Sequence, residues 1–359
     1  MISGKYLRMI VMLSIMVLLS GLTACGVQKN TDKTTSVAED TAIAEEQSRV
    51  TLTVESETAV TDELQSREQI MEESVENCET KTQEETVAPQ DEVPAETAQS
   101  QPMEYTDLQK ITLDPDWEYA DHSKINTGAA VLYRAPEESG RKGIVIGVNA
   151  GHGTSGGAKV KTLCHPDGSA KVTGGSTAAG ATGAAAVSGG MAFQDGTPER
   201  EVTLRMAQIL RDKLLTSGYD VLMLRDSEDV QLDNVARTVI CNNVADCHIA
   251  LHWDSGDGKN YDKGCFYISV PEALKSMEPV ASHWQQHDTL GTDLVEGLRE
   301  QGAMIYGKGN MSIDLTQTSY STIPSVDMEL GNAYSDHSDV VLEQLATGLL
   351  AGINTYFEQ

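Results

Sequence analysis

One run of residues constrains this chain more than any other. Residues 143–150, Gly143-Ile144-Val145-Ile146-Gly147-Val148-Asn149-Ala150, are almost continuously apolar and stop at Gly151. A run of this length bounded by glycine reads as a strand buried on both faces. Strand and helix patterns alternate behind it. Residues 199–217 place Val202, Leu204, Met206, Ile209, Leu210 and Leu214 at helical spacing, and Gly218 stops them. Strand patterns fall at 219–224, 248–251, 265–270 and 325–330, helix patterns at 232–243, 290–301 and 339–357, and a short strand at 129–133 precedes them all. This alternation predicts an α/β fold: a single three-layer domain with a mostly parallel twisted sheet and helices on both faces. In open sheets of that kind ligands sit at the carboxyl ends of the strands. Reactive residues just after buried strands are therefore the ones to inspect.

The alternation breaks between Gly153 and Glu199. Residues 154–192 are dominated by Gly, Ala, Ser and Thr, and residues 154–196 read as a long surface insertion that leaves the end of the first buried strand. Ahead of the domain, residues 25–105 are a different material. Residues 26–105 carry 20 acidic and 5 basic residues, with no aromatic before Tyr105. Such a segment cannot bury enough apolar surface to offset its chain entropy, so it is expected to be a disordered, self-repelling tether. Residues 106–142 read as a lead-in, and 143–359 as the folded domain in which any site is expected. The chain's net charge of -28 over 359 residues argues against nucleic acid as a partner.

The first 24 residues read as an export signal. Lys5 and Arg8 precede an apolar run over residues 9–22, which is shorter than the roughly 20 residues a membrane span needs. The run ends in Leu22-Thr23-Ala24-Cys25-Gly26, which resembles the lipobox of bacterial lipoproteins. That resemblance implies cleavage before Cys25, lipid (palmitate among it) on that residue, and a protein held on the extracytoplasmic face of the cell membrane. Several buried acyl chains give firm anchorage at about 0.8 kcal/mol per CH₂. Five cysteines remain: Cys78, Cys164, Cys241, Cys247 and Cys265. Their number is odd and no zinc-ribbon spacing is present, so buried thiols rather than disulfides are expected.

Four residues carry the chemistry. His152 follows the first buried strand between two glycines. His252 ends the strand His248-Ile249-Ala250-Leu251. Glu199 opens the helix after the insertion, and Glu329 lies on the last strand within Val326-Asp327-Met328-Glu329-Leu330-Gly331. Two histidines and a carboxylate around a cation, with a position open to water, form a familiar catalytic zinc arrangement. A further carboxylate supplies a proton carrier. His248 and His252 would form a metal pair on a helix, but on a strand at about 3.3 Å per residue they stand about 13 Å apart, so His248 is expected to be structural. Arg225 and Arg237 read equally as ion-pair residues and substrate contacts, and His165, His283, His287 and His337 as exposed.

The order of these motifs resembles the zinc-dependent N-acetylmuramoyl-L-alanine amidases of the amidase-3 family over about residues 143–357. Ile146-Gly147-Val148-Asn149-Ala150-Gly151-His152-Gly153 is similar to the family's Gly-His-Gly turn. Glu199-Arg200-Glu201-Val202-Thr203-Leu204 is similar to its Glu-Lys-x-x-x-Leu helix start, and Ala250-Leu251-His252-Trp253-Asp254 to its second histidine strand. Pro324-Ser325-Val326-Asp327-Met328-Glu329 resembles the strand with the catalytic glutamate. Asn332 departs from the family's usual aromatic residue. The resemblance implies Zn²⁺ held by His152, Glu199 and His252, with Glu329 as general base. The substrate it implies is the peptidoglycan amide between N-acetylmuramic acid and L-alanine, cut by a monomer. Two readings of other classes stand beside it: an inactive wall-binding lipoprotein of the same fold, and a lipid-anchored solute-binding protein.

Overall fold

The computed structural model describes residues 108–256, 258 and 260–358. The signal segment 1–24, the lipidation site Cys25, Cys78 and the 25–105 tether lie outside the described residues.

Ten strands are described: β1 (Leu108–Ile111), β2 (Ala130–Tyr133), β3 (Val145–Ala150), β4 (Lys161–Leu163), β5 (Gly183–Ala185), β6 (Asp220–Met223), β7 (Cys247–Asp254), β8 (Cys265–Ser269), β9 (Ile305–Ser312) and β10 (Ser325–Asn332). The α-helices are α1 (Glu199–Thr216), α2 (Asn234–Val244), α3 (Val280–Glu300), α4 (Thr316–Tyr320) and α5 (Asp339–Phe357). Eight strands form one sheet in the order β1-β2-β6-β3-β7-β10-β8-β9. Its centre, β6-β3-β7-β10, is parallel throughout. Its flanks mix directions: β1 with β2, β2 with β6 and β10 with β8 are antiparallel, and β8 with β9 is parallel. The sheet is thus mixed, with its longest parallel run at the centre. A parallel crossover needs a dozen or more residues, usually a helix, and only residues 255–264 separate β7 from β8.

Alternation along the central strands decides which side chain faces which layer. Ile146, Val148, Ala150, Ile249, Leu251, Val326 and Met328 join the core beneath α1, α3 and α5. Leu132, Leu222, Leu224, Ile240 and Cys241 form the core beneath α2 on the other face. Residues of the opposite parity, Asn149, His252, Asp327 and Glu329 among them, therefore point to the α2 side. No helix among the described residues is long and apolar enough to cross a membrane.

Several expectations need correction. The helix expected at 290–301 starts ten residues earlier, at Val280. Its first half buries only Val280 and His287, with Ala281 and Trp284 as its other apolar residues, so apolar periodicity is visible only from Leu290. Strand β9 lies at the sheet edge and carries Gly307 and Gly309, which erases the alternation a sequence reading relies on. The insertion is not a bare loop: β4 and β5 pair into an antiparallel ribbon. His165 and His287 are buried rather than exposed. Cys164, Cys241, Cys247 and Cys265 are buried free thiols.

Candidate metal centre

The first ligand candidate rests on a strained turn. His152 adopts φ 65°, in the left-handed region, which disfavours a residue with a side chain by about 1–2 kcal/mol. Two buried arginines hold that turn. Arg237 donates to Asn149 Oδ1 (3.0 Å), to the carbonyls of Ala150 (3.2 Å) and His152 (2.8 Å) and to Thr154 Oγ1 (2.8 Å). Arg225 donates to the carbonyls of Ala150 (3.1 Å), Gly151 (2.9 Å) and Arg200 (2.9 Å). Their hydrogen-bond partners are backbone and side-chain oxygens of neutral groups rather than carboxylates, and Arg225 ties the β3 end to the start of α1.

His152 Nδ1 donates to the Ser188 carbonyl at 3.0 Å. A carbonyl only accepts, so the proton sits on Nδ1 and the Nε2 lone pair is free to bind a cation. That Nε2 lies 2.8 Å from Glu199 Oε1 and 3.1 Å from His252 Nδ1. Glu199 is the first residue of α1, directly after Pro198, and its side chain is 3% exposed. Its Oε1 also accepts from the Trp253 amide (3.1 Å) and its Oε2 from the Met191 amide (2.9 Å). His252 Nδ1 stands 3.1 Å from Glu199 Oε1, and the two imidazole rings meet edge to face with centroids 4.6 Å apart. One ligand atom from each of His152, Glu199 and His252 lies within 4.8 Å of the others.

The electrostatics point the same way. Burial alone would raise the Glu199 carboxyl, but the adjoining His152 and His252 imidazoles outweigh it and hold the group far below the usual range. Burial would lower His252, yet the Asp327 carboxylate and Glu199 push its imidazole up to about 10. A proton on His252 thus does part of what a cation would do: it supplies positive charge among converging carboxylates. Two imidazole nitrogens and one carboxylate oxygen, pre-oriented by outer hydrogen bonds, are a donor set that fits zinc.

Glu329 does not join that trio. It faces His252 directly across the β10–β7 pair, on the same side of the sheet. Its Oε2 is buried without a hydrogen-bond partner, and burial, then the Asp327 carboxylate, raise its carboxyl well above the ordinary range. His248 is buried on β7, as expected of a structural residue. Four contributors were not visible as sequence motifs. The Ser188 carbonyl and the Met191 and Trp253 amides act through backbone atoms, which no side-chain motif reveals. Asp327, whose Oδ2 is 3.9 Å from His252 Nε2, shares its face with Glu329, and the period of two along β10 was the signal for it.

Two histidines at strand ends and a glutamate at a helix start converge as a group that could hold a metal ion, with a further carboxylate beside them, an arrangement suited to a hydrolase. The family model described as N-acetylmuramoyl-L-alanine amidase matches residues 146–350. The chain belongs to the N-acetylmuramoyl-L-alanine amidase family, enzymes that hydrolyse an amide of peptidoglycan. Its fold is similar to that of the N-acetylmuramyl-L-alanine amidase Ami1 from Mycobacterium smegmatis (17% identity, TM-score 0.50, covering 60% of this chain and 97% of that one). Similar structures also include Ami1 from Mycobacterium abscessus, in its apo form (20%, TM-score 0.48, 60% and 99%). Another is the amidase AmiC2 of Nostoc punctiforme (15%, TM-score 0.45, 61% and 99%). No curated protein matches the chain.

Proposed function

We propose that this chain is a zinc-dependent N-acetylmuramoyl-L-alanine amidase, anchored by lipid on Cys25 to the extracytoplasmic face of the cell membrane and acting as a monomer. The observation that carries the zinc reading is the approach of His152 Nε2, Glu199 Oε1 and His252 Nδ1 to within 3.1 Å of one another. His152, Glu199 and His252 would hold the ion. Zinc bound there supplies Lewis acidity, polarising an amide carbonyl and making water a nucleophile near neutral pH.

Glu329 is the proton carrier. Water adds its oxygen to the carbonyl carbon of the lactyl group and gives up a proton to the Glu329 carboxylate. The carbon–nitrogen bond to L-alanine then breaks, and Glu329 returns that proton to the departing nitrogen. A carboxyl whose pKa is raised suits a group that first accepts and then donates. The lipid anchor and the acidic tether of residues 25–105 together give the domain reach from the membrane into the wall.

The test uses purified protein, isolated peptidoglycan, metal analysis and the mass of released fragments. Glu329→Gln is expected to retain zinc and to lose turnover by about 10²–10⁴-fold. His152→Ala is expected to lose zinc. Wild-type digestion by Glu329→Gln would remove Glu329 from the mechanism, and products cut elsewhere than before L-alanine would remove the substrate assignment.

A further inference from the structure

The geometry points to Asp327 as a positioning residue that fixes which nitrogen of His252 faces the metal. The inference rests on the zinc reading above and concerns a residue that reading does not use. Strand β10 is apolar on one face, through Val326, Met328 and Leu330, and polar on the other, through Ser325, Asp327 and Glu329. Asp327 pairs in register with Ala250 on β7, and Glu329 with His252. Asp327 thus stands opposite a small residue, on the face of the sheet that carries His252. Its Oδ2 stands 3.9 Å from His252 Nε2. Its Oδ1 is buried with no hydrogen-bond partner, and among the described residues Asp327 has no ion pair with Lys or Arg. A carboxylate taken out of water on an otherwise packed strand is costly unless a partner offsets it.

The His252 ring is the partner. Its Nδ1 faces His152 Nε2 and Glu199 Oε1, where the ion belongs, so Nε2 is left to carry the ring proton. Asp327 is an acceptor placed on that side, and a carboxylate behind a ligating imidazole fixes its tautomer and raises its basicity. His152 has the same arrangement with a different acceptor: its Nδ1–H meets the Ser188 carbonyl. Each histidine thus has one nitrogen toward the centre and one toward an oxygen, but only His252 has a full negative charge behind it. Asp327 acts through His252 and touches neither substrate nor ion.

The test is zinc affinity of the full chain, by competition with a chelator, for wild type, Asp327→Leu and Asp327→Asn. Asp327→Leu is expected to weaken zinc about 10–100-fold. Asp327→Asn, which keeps an acceptor oxygen but no charge, is expected to fall between it and wild type. Nitrogen-15 spectra of the zinc-loaded wild type are expected to show the His252 proton on Nε2, a readout that needs no variant to fold. A zinc affinity of Asp327→Leu within about twofold of wild type, or a proton found on Nδ1, overturns the proposal. So does an unchanged zinc affinity with a raised KM, which would make Asp327 a substrate contact. A wild-type chain that binds no zinc would instead overturn the underlying metal reading, and this proposal with it.

Discussion

The left-handed turn at His152 leaves no spare volume on either side of the ring. A Cβ added at Gly151 would fall 2.3 Å from His252 Cε1 and 2.6 Å from its Nδ1. A methyl group there cannot coexist with the His252 rotamer that brings Nδ1 to the centre. Gly151→Ala is therefore expected to keep the fold and to weaken zinc by at least about tenfold, read by chelator competition, because it displaces a ligand rather than removing one. Gly190 plays the matching part from the insertion, where an added Cβ would sit 2.9 Å from His152 Cδ2 and 3.0 Å from Glu199 Oε2. The three residues that converge there were legible in the sequence, since ionisable side chains at strand ends and at a helix start beside apolar runs stand out chemically. The parts that aim them were not. The Ser188 carbonyl and the Met191 amide have no residue type that marks them, and two buried arginines braced on carbonyls look the same in sequence as two that grip a substrate.

The insertion has the composition of a linker but the hydrogen bonding of an anchored unit. Asp314, in the link between β9 and α4, gathers it: His165 Nε2 lies 2.9 Å from Oδ1, and the Val172 amide donates to Oδ2 at 2.8 Å. The Asp314 amide in turn donates to Thr173 Oγ1 at 2.8 Å. The return of the insertion is pinned by the Asn234 amide on the Ala186 carbonyl (3.0 Å), two residues before Ser188 meets His152. Nothing in a Gly- and Ala-rich stretch announces an aspartate about 140 residues away as its anchor, which is why residues 154–196 read as loop. Removing that anchor leaves buried donors without an acceptor. Asp314→Ala is expected to destabilise the β4–β5 ribbon by about 3–5 kcal/mol, with the sheet retained. Amide hydrogen exchange is the measurement: residues 161–187 should lose protection while β3, β7 and β10 keep theirs. Equal loss in the ribbon and the sheet would mean the insertion and core unfold as one unit.

Across the molecule, the α2 side of the sheet carries a layer of buried polar groups from Asn149 and Arg237 to His248 and Gln317, and this layer sets how the fold responds to acid. His248 is 0% exposed, and both of its ring nitrogens lack a hydrogen-bond partner. Burial, then the positive charge of Arg237 and the neighbouring His287, push its imidazole down to about 3. His287 is likewise held at about 3, by burial and then by His283, and its Nδ1 accepts from the Ser325 amide at 3.0 Å. In the unfolded chain both titrate near 6.5. Between those values the unfolded state binds more protons than the folded one, so stability falls as pH falls. Each contribution is fully present above about pH 6.5 and is lost as pH drops through the window toward about 3. The acid limb of the stability curve should therefore begin before most carboxylates titrate, at a pH where the Asp220 ion pairs with Arg134 and Arg141 are still intact. His248→Phe keeps the ring, gives up no hydrogen bond and removes one of the two titrations. Thermal melts of zinc-free protein should show a Tm at pH 7 equal to or above wild type and a shallower decline between pH 6.5 and 4. An unchanged decline would mean that His248 gains a proton without unfolding, and that the polar layer beneath the site admits water.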